Sequence, residues 1–202
     1  MKQKSLAVLA LAAGIAAPAW AADTFVVDKT HGEVGFQATH LGISKVKGWF
    51  RDYEGTIVAD AAKPEASSVE FSIKVASIDT NSEKRDQDLR EGEGFFEAAK
   101  FPTLTFKSSK IVAKGKDLFD VTGTLTIHGV SKTVTLPVKV LGPITDPWKN
   151  VKYGFETQIT LNRKDYGIVW HKTMDSGGLV VGDEVNVFIS LEAAKKKEAA
   201  SN

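Results

Sequence analysis

The sequence of 202 residues contains no cysteine, which excludes disulfide bonds, thiolate metal sites and thiol chemistry. It has no excess of charge either, because 26 Lys and Arg residues face 25 Asp and Glu residues, for a formal net charge of +1. A near-neutral surface gives no electrostatic reason to expect a nucleic acid as a partner, so none is predicted. The sequence has one short apolar run near the N-terminus, and no apolar stretch reaches the length that spans a bilayer.

Motifs for catalysis are missing as well. The sequence holds no Gly-x-Ser-x-Gly elbow and no Gly-rich phosphate loop between a strand and a helix. Its four histidines, His31, His40, His128 and His171, do not have the spacing of metal ligands. We therefore predict no catalytic residue, no metal site and no cofactor, in a protein that is not an enzyme. A hydrolase that uses His40 or His171 with a nearby carboxylate is the less favoured alternative.

The first residues have the pattern of a secretory signal peptide. Lys2 and Lys4 precede a short apolar run, and Ala19-Trp20-Ala21 fits the small-x-small rule for cleavage. A membrane anchor would need a longer apolar run. The predicted division of the chain is a signal peptide at residues 1–21, one folded domain at 22–192 and a flexible, charged tail at 193–202.

Alternation of apolar and polar residues is the dominant pattern of the mature chain. In residues 118–141, two alternating arms flank a short turn at 128–132 that contains Gly129, which is typical of an antiparallel hairpin. A further turn is expected at 28–32 and a long loop at 142–150. Similar alternation predicts about eight strands, which suit an up-and-down barrel or a two-sheet sandwich. The long, steady alternation favours an all-β antiparallel barrel.

One charged segment breaks the alternation. Residues 81–91 predict a short helix that begins at Asn81 or Ser82. Because Leu89 is its only large apolar residue, we interpret the helix as a cover on the barrel, with a solvated connection that has a local core as the alternative. The phenylalanines expected to anchor this cover are Phe95, Phe96 and Phe101. The charged pairs expected along the helix are Lys84 with Asp88 and Asp86 with Arg90.

The interior of an eight-stranded barrel is either filled by its own side chains or holds one small ligand. The apolar composition fits both, and a hollow barrel would suit a long hydrocarbon. Gly123 lies on the apolar face of its strand and leaves the volume of a side chain empty; in a filled barrel a neighbouring side chain would occupy that volume, or Gly123 would mark a bulge. The residues predicted to line the pore are Phe36, His40, Phe50, Phe71, Ile73, Phe106, Phe119, Val121, Gly123, Leu125, Leu136, Phe155 and Ile159.

Several polar and aromatic residues are candidates for the mouth of the pore. Arg85 and Arg163 would hold an anionic or carbonyl head group by hydrogen bonds. The alternative is that both form surface salt bridges, which are common. The full set predicted to contact a head group is Arg85, Arg163, Tyr166 and Trp170.

Several short motifs occur in a fixed order along the mature chain. They are Asp28-x-x-His31, His40-Leu41-Gly42 with Gly48-x-Phe50, Ser77-Ile78-Asp79-Thr80-Asn81 with Arg85-Asp86-x-Asp88-Leu89, Lys100-Phe101-Pro102, Gly123-x-Leu125-Thr126-x-His128-Gly129-Val130, Asp146-Pro147-Trp148 and Arg163-x-Asp165-Tyr166-Gly167. Taken together, they resemble the YceI-like family of exported lipid-binding proteins. The resemblance implies a lipocalin-like antiparallel barrel whose pore holds a polyisoprenoid chain, and a periplasmic location. Two departures are Gly32, where many relatives have Ser, and the charged tail after Leu191.

The resulting expectation is non-enzymatic binding, storage or transport of an isoprenoid lipid, either an isoprenoid quinone or a prenyl phosphate. The alternative is a packed, ligand-free barrel that acts as a periplasmic interaction or stress protein. Expected partners are the lipid itself and a transient contact with a membrane, and a homodimer is left open.

Export predicts a mature N-terminus at Ala22, because the apolar run and the small residues before it define the cleavage site. N-terminal sequencing of periplasmic protein should start at Ala22. A periplasmic protein that starts at Met1 would contradict the prediction. Reversal of the charges of Lys2 and Lys4 is the matched variant and should lower the exported fraction.

Overall fold

The computed structural model describes residues 22–197 of the chain. The predicted signal peptide and residues 198–202 lie outside the described residues. Within the described part, no helix is long and apolar enough to cross a membrane. The strands are β1 (Asp23–His40), β2 (Ser44–Phe50), β3 (Tyr53–Ala59), β4 (Ser68–Lys74), β5 (Ile78–Asp79), β6 (Thr103–Ala113), β7 (Leu118–Ile127), β8 (Val130–Thr145), β9 (Val151–Asn162) and β10 (Val181–Lys195). The helix α1 covers Glu83–Glu91, and short 3-10 helices cover Pro64–Ala66, Val75–Ser77 and Arg163–Tyr166.

Strand β10 pairs with β9 on one side and with β1 on the other, and the second pairing closes the sheet into a barrel. Eight antiparallel strands form the wall, in the order β1, β3, β4, β6, β7, β8, β9 and β10. The first half of β1 pairs with β3 and its second half with β2, and β5 pairs with the far edge of β2. The prediction of an antiparallel barrel of about eight strands is confirmed, and the sandwich alternative is wrong.

The hairpin of β7 and β8 is confirmed, but its turn is shorter than expected. Ile127 pairs directly with Val130, so the turn consists of His128 and Gly129 alone. Both residues have positive φ, at 51° and 75°. This conformation suits a two-residue turn because its twist matches that of the flanking strands.

The turn predicted at 28–32 is wrong, because β1 continues through these residues. The pairing with β10 shifts register between Asp28 and Gly32, which is a bulge in one strand. The Asp28 carboxylate accepts hydrogen bonds from the Thr30 amide at 3.0 Å and the Thr30 hydroxyl at 2.6 Å. These bonds satisfy the polar groups of the bulge while β10 remains paired on both sides of it.

The loop predicted at 142–150 is also shorter than expected. β8 runs on to Thr145 and β9 begins at Val151, with a register shift between Leu141 and Ile144. The remaining turn is held by the Asp146 carboxylate, which accepts from the amides of Trp148 and Asn150 at 2.9 and 2.8 Å.

The predicted start of the tail needs correction too. Residues 193–195 belong to β10, and Ala193 is completely buried between Val27 and Tyr153 in neighbouring strands. The Lys195 ammonium lies 2.6 Å from the Asp23 carboxylate. Pairing with both neighbouring strands holds Ala193 and Ala194 in the barrel wall, and Lys195 is held by its pairing with β1.

The empty volume expected at Gly123 does not exist. A Cβ atom there would lie 2.6 Å from the Phe106 ring and would also collide with the Lys107 carbonyl oxygen. Gly123 pairs with Ser108, next to a register shift between Ser108 and Lys110 in β6. Gly123 therefore marks a bulge and a close approach of β6, which is the alternative considered for a filled site.

This contact predicts that Gly123→Ala lowers the free energy of unfolding by about 1–3 kcal/mol, because the neighbouring backbone cannot move away freely. Gly115→Ala is the control, since the nearest neighbour of a Cβ there is 4.0 Å away. The midpoint of denaturant unfolding reports both effects. Equal midpoints for the two variants would contradict the packing described at Gly123.

Candidate functional site

Two cavities follow one another along the barrel axis. The first, the cap cavity, has a volume of about 190 Å³ and is bounded at the barrel end by Leu89, Phe95, Phe96, Tyr166 and Ile168. The second, the loop cavity, has a volume of about 290 Å³ and reaches the loop between β3 and β4. Together they fall in the range of about 300–1,000 Å³ that is typical of small-molecule pockets.

Five residues lie at the boundary because they belong to the walls of both cavities. We call this group the boundary layer. Its members are Phe71, Phe106, Leu136, Thr157 and Ile189. A ligand longer than one cavity must pass this layer.

The walls are almost entirely apolar. The polar residues of the cap cavity wall are Thr105, Thr157, Arg163 and Tyr166, of which Thr105 is exposed on the outer face. The acidic residues of the loop cavity wall are Asp60, Glu70 and Glu156; the carboxylates of Glu70 and Glu156 pair with lysines on the outer face, and no basic residue is among the described residues of this wall. Such walls favour hydrocarbon over water or charged groups.

Aromatic rings lie flat against the wall because glycines make room for them. Phe36 pairs directly with Gly48 and Phe71 with Gly55 across neighbouring strands. A Cβ at Gly55 would lie 2.5 Å from the Phe71 ring, and one at Gly48 would collide with the Phe36 ring. Each ring therefore occupies the space of a missing side chain and leaves the axis of the barrel open.

Most of the predicted pore residues do lie on the cavity walls. Those on the cap cavity are Phe36, Phe50, Phe71, Ile73, Phe106, Leu125, Leu136 and Ile159. Those on the loop cavity are Phe71, Phe106, Phe119, Val121, Leu136 and Phe155. Their contact with a ligand remains a prediction.

Two predicted pore residues lie on neither wall. Gly123 is covered by the Phe106 ring, as described above. His40 is the last residue of β1, beyond a register shift between Ala38 and His40, and it is not among the residues of either wall. His171, the other histidine considered for catalysis, is exposed on the segment after the last 3-10 helix and also lies outside both walls.

Sequence reasoning missed many wall residues, although their signal was the same alternation. On the cap cavity they include Val34, Ala38, Leu104, Ile127, Leu161, Val185 and Val187. On the loop cavity they include Phe25, Val27, Ile57, Val138, Tyr153 and Leu191. All share the inward phase of strands that the pattern identified.

The helix α1 is a cover, as interpreted from the sequence. Leu89, Phe95 and Phe96 contribute to the wall of the cap cavity. The Phe96 ring meets the Phe50 ring edge-to-face at 5.9 Å between centroids. These residues pack on the interior of the barrel instead of forming a local core of their own, which supports the cover over a solvated connection with a local core.

A buried carboxylate fixes the start of this cover. Ser82 occupies the N-cap position but makes no side-chain capping bond. Asp86 is 5% exposed and accepts from the Thr80 amide at 2.8 Å and the Thr80 hydroxyl at 2.5 Å. Its expected partner Arg90 instead binds Glu83 at 2.8 Å, whereas the expected pair of Lys84 and Asp88 forms at 2.6 Å.

A second polar contact fixes the other end of the cover. His128 Nε2 and Glu97 Oε2 are 2.9 Å apart, and both side chains are largely buried. The Phe101 ring packs on the His128 imidazole at 4.2 Å between centroids. Hydrogen bonds from Lys100 and His128 hold the pKa of Glu97 below its usual value. We call the pair of Glu97 and His128 the clasp, because it joins the cover to the turn between β7 and β8.

Arg163 does not present a free guanidinium to a ligand. It is 7% exposed, and each of its five N–H groups has a protein acceptor. The acceptors are the carbonyls of Ile168, Trp170, Val181 and Gly182 and the carboxylate of Asp183. Burial lowers the pKa of Arg163, and Asp183 opposes this effect. The role is therefore to hold the segment 167–183 over the barrel end.

The other predicted mouth residues have different positions. Arg85 donates to the Thr80 hydroxyl at 2.7 Å and carbonyl at 2.6 Å, and it lies outside both walls. Tyr166 is buried in the wall of the cap cavity, and this burial raises its pKa. Trp170 stacks on Phe95 at 4.9 Å, outside the wall. The arrangement closes this barrel end instead of forming a charged mouth.

A polar cluster on the outer wall has the composition of a metal site. Asp28, His31 and Glu192 place one ligand-type atom each within 4.8 Å of one another. The Lys152 ammonium already lies 3.4 Å from Asp28 and 3.0 Å from Glu192. Hydrogen bonds from Thr30 and His31 hold the pKa of Asp28 well below its usual value. The cluster is therefore an ion-pair network that braces the bulge in β1.

Two buried hydroxyls have no hydrogen-bond partner among the described residues, those of Tyr53 and Thr157. The Tyr53 hydroxyl lies 3.0 Å from the position of a Cβ at Gly32. Burial raises the pKa of Tyr53. Thr157 belongs to the boundary layer.

Known proteins with a similar sequence and known proteins with a similar structure belong to the same group. A "UPF0312 protein" of Azotobacter vinelandii is 41% identical over 200 residues, which cover 97% of this chain and 100% of that protein. The Campylobacter jejuni YceI protein has a TM-score of 0.68 at 34% identity, over 79% of this chain and 90% of that one. BcnA of Burkholderia cenocepacia has a TM-score of 0.72 at 28% identity, over 82% and 98% of the two chains.

A more distant structure shares the fold alone. It is a polyisoprenoid-binding domain from Saccharophagus degradans, implicated in plant cell wall breakdown, with a TM-score of 0.64 at 19% identity over 87% of this chain and 99% of that one. The sequence-family model of the YceI-like domain matches residues 25–193, which span the barrel from β1 to the buried end of β10. The barrel, its cover and these matches agree, and the chain belongs to the YceI-like family.

Proposed function

We propose that this protein binds an isoprenoid lipid in the barrel, without catalysis, and stores or carries it in the periplasm. The observation that carries the proposal is the pair of apolar cavities in line along the barrel axis. Their walls suit a long, narrow hydrocarbon, and an isoprenoid tail has that shape. The name of the Saccharophagus domain supports a polyisoprenoid as the class of ligand.

The energetics of transfer favour a carrier. Each buried CH₂ group contributes about 0.8 kcal/mol, whether it leaves water for the barrel or for a bilayer. Movement of the tail between membrane and protein is therefore nearly neutral, and the lipid can be loaded and released. Selectivity must come from the shape of the bore and from the few polar groups on its wall.

Reaction chemistry has little support at the cavities. The histidines considered for a hydrolase, His40 and His171, stand outside both walls. Arg163 is fully engaged with protein acceptors. Binding is therefore the function that the geometry supports best.

The first test is the lipid content of protein purified from the periplasm of a bacterial host. We expect solvent extraction and mass spectrometry to find an isoprenoid in the wild-type protein. Leu136→Trp places a large ring at the boundary layer and should reduce bound lipid about tenfold, because overpacking of the bore competes with the ligand. Protein without any bound isoprenoid would favour the packed, ligand-free barrel.

Thr133→Trp is the matched control for Leu136→Trp. Thr133 lies in the same strand with its side chain exposed on the outer face. The control should retain the wild-type amount of lipid, and near-native circular dichroism of both variants shows that the barrel still forms.

The clasp is expected to control the rate at which the lipid leaves the barrel. His128→Asn tolerates the positive φ of this position but cannot reach Glu97, so the cover should open more often. We expect transfer of bound lipid to phosphatidylcholine vesicles to become about tenfold faster, as for loss of a hydrogen bond to a charged group.

Lys100→Ala is the control for the clasp, because it removes only the exposed partner of Glu97. This variant should transfer lipid at nearly the wild-type rate. An unchanged rate in His128→Asn would mean that the lipid leaves past the loop between β3 and β4 and that the cover does not control release.

A further inference from the structure

Thr157 is out of place in the apolar face of β9. The residues in phase with it are Phe155, Ile159 and Leu161, all of which line a cavity. Thr157 lies opposite Val138 on one side and Ile189 on the other. The hydroxyl is therefore set among apolar side chains, halfway along the bore.

The Thr157 hydroxyl is shielded from solvent and has no hydrogen-bond partner among the described residues. A buried hydroxyl without a partner destabilises a fold, whereas valine has nearly the same shape and needs no partner. Packing alone therefore does not account for threonine at this position. A ligand with a polar atom at this depth would account for it.

The charges along the bore limit what that ligand can be. On the cap cavity, Arg163 already donates all of its five N–H groups to the protein. On the loop cavity, no basic residue is among the described residues of the wall, and the carboxylates of Glu70 and Glu156 pair with Lys107 and Lys139 on the exposed outer face. An anionic head group inside the bore would find no free cation, and burial of an unpaired charge is costly.

We infer that Thr157 is a ligand-binding residue, and that the isoprenoid bound here carries an uncharged oxygen at the boundary layer. The chemical class is a carbonyl, hydroxyl or ether oxygen, as in an isoprenoid quinone or an isoprenol, rather than a prenyl phosphate. This inference rests on the proposed function, because it specifies the head group and the depth at which the lipid binds.

The position of Thr157 explains how the oxygen and the hydroxyl meet. The Thr157 hydroxyl is shielded, so a lipid that extends from one cavity into the other must displace the side chains that cover it at the boundary layer. The lipid then takes their place against Thr157. A neutral oxygen at this point satisfies the hydroxyl and is itself satisfied, at little cost in desolvation.

The test compares Thr157→Val with Thr157→Ser in the full mature protein, after removal of bound lipid. Three probes share one prenyl tail: a p-benzoquinone, the corresponding hydrocarbon without oxygen, and the prenyl phosphate. Thr157→Val should bind the quinone about three- to tenfold more weakly, the range for one net hydrogen bond, and should bind the hydrocarbon as tightly as the wild type. Thr157→Ser should keep the affinity for the quinone.

A measurement of stability separates ligand binding from a structural role. Without lipid, Thr157→Val should unfold at the same or a higher denaturant midpoint, because an unpaired hydroxyl is lost. A lower midpoint would show that the hydroxyl has a partner within the protein and would overturn the inference. In the wild type, the prenyl phosphate should bind more weakly than the quinone, and the opposite order would also overturn it.

The hydrocarbon distinguishes failure of the inference from failure of the proposed function. If the wild type binds the hydrocarbon tightly, lipid binding itself is intact. In that case, the role of Thr157 is refuted if Thr157→Val does not weaken binding of the quinone, or weakens binding of the quinone and of the hydrocarbon equally. A protein that binds none of the three probes refutes the proposed function, and the inference fails with it.

Discussion

The pairing of β1 with β10 is the interaction on which the rest of the structure depends. It joins the two ends of the described chain, from Phe25 opposite Lys195 to His40 opposite Val181. Without it both strands would be open edges, and the inward apolar faces of the sheet would meet water. Closure turns eight half-apolar strands into a tube with one shared interior. The bulge at Asp28 to Gly32 and its ion-pair network let a single strand follow the curve of that tube.

Closure alone does not make a bore, because an eight-stranded barrel is narrow enough to fill with its own side chains. Here the phenylalanine rings at Phe36 and Phe71 lie on glycines of the neighbouring strand. The rings still shield the backbone, but the volume along the axis stays free. The same device at Gly123 uses the ring of Phe106, so a glycine in this barrel marks a covered wall and not a vacant pocket.

The irregular segments close one end of the tube by burying polar groups that satisfy one another. Asp86 holds the start of the cover through Thr80, the clasp of Glu97 and His128 holds its end, and Arg163 holds the segment that follows β9. Apart from Glu97, these residues belong to the motifs by which the sequence resembles the YceI-like family. Several of the motifs thus specify the closed end of the barrel, whereas most of the apolar bore is recognisable only as alternation.

The sequence by itself determined the strands and their inward faces, because alternation with a period of two directly reflects which side of a strand is buried. The same alternation fits a barrel and a sandwich, and the pairing of β1 with β10 decided between them. The sequence thus identified wall residues such as Phe71, Leu136 and Ile159. It also identified the cover, through Phe95 and Phe96, because charged and aromatic clusters interrupt the alternation.

Only the tertiary structure decided what depends on partners distant in the chain. Whether Gly123 is empty depends on the Phe106 ring in another strand, and whether Arg163 is free depends on carbonyls between residues 168 and 182. The burial of Asp86 depends on Thr80, although helical spacing favoured Arg90. The isolation of the Thr157 hydroxyl emerges only when three strands and two cavities are in place, because alternation records the direction of a side chain and not its neighbours.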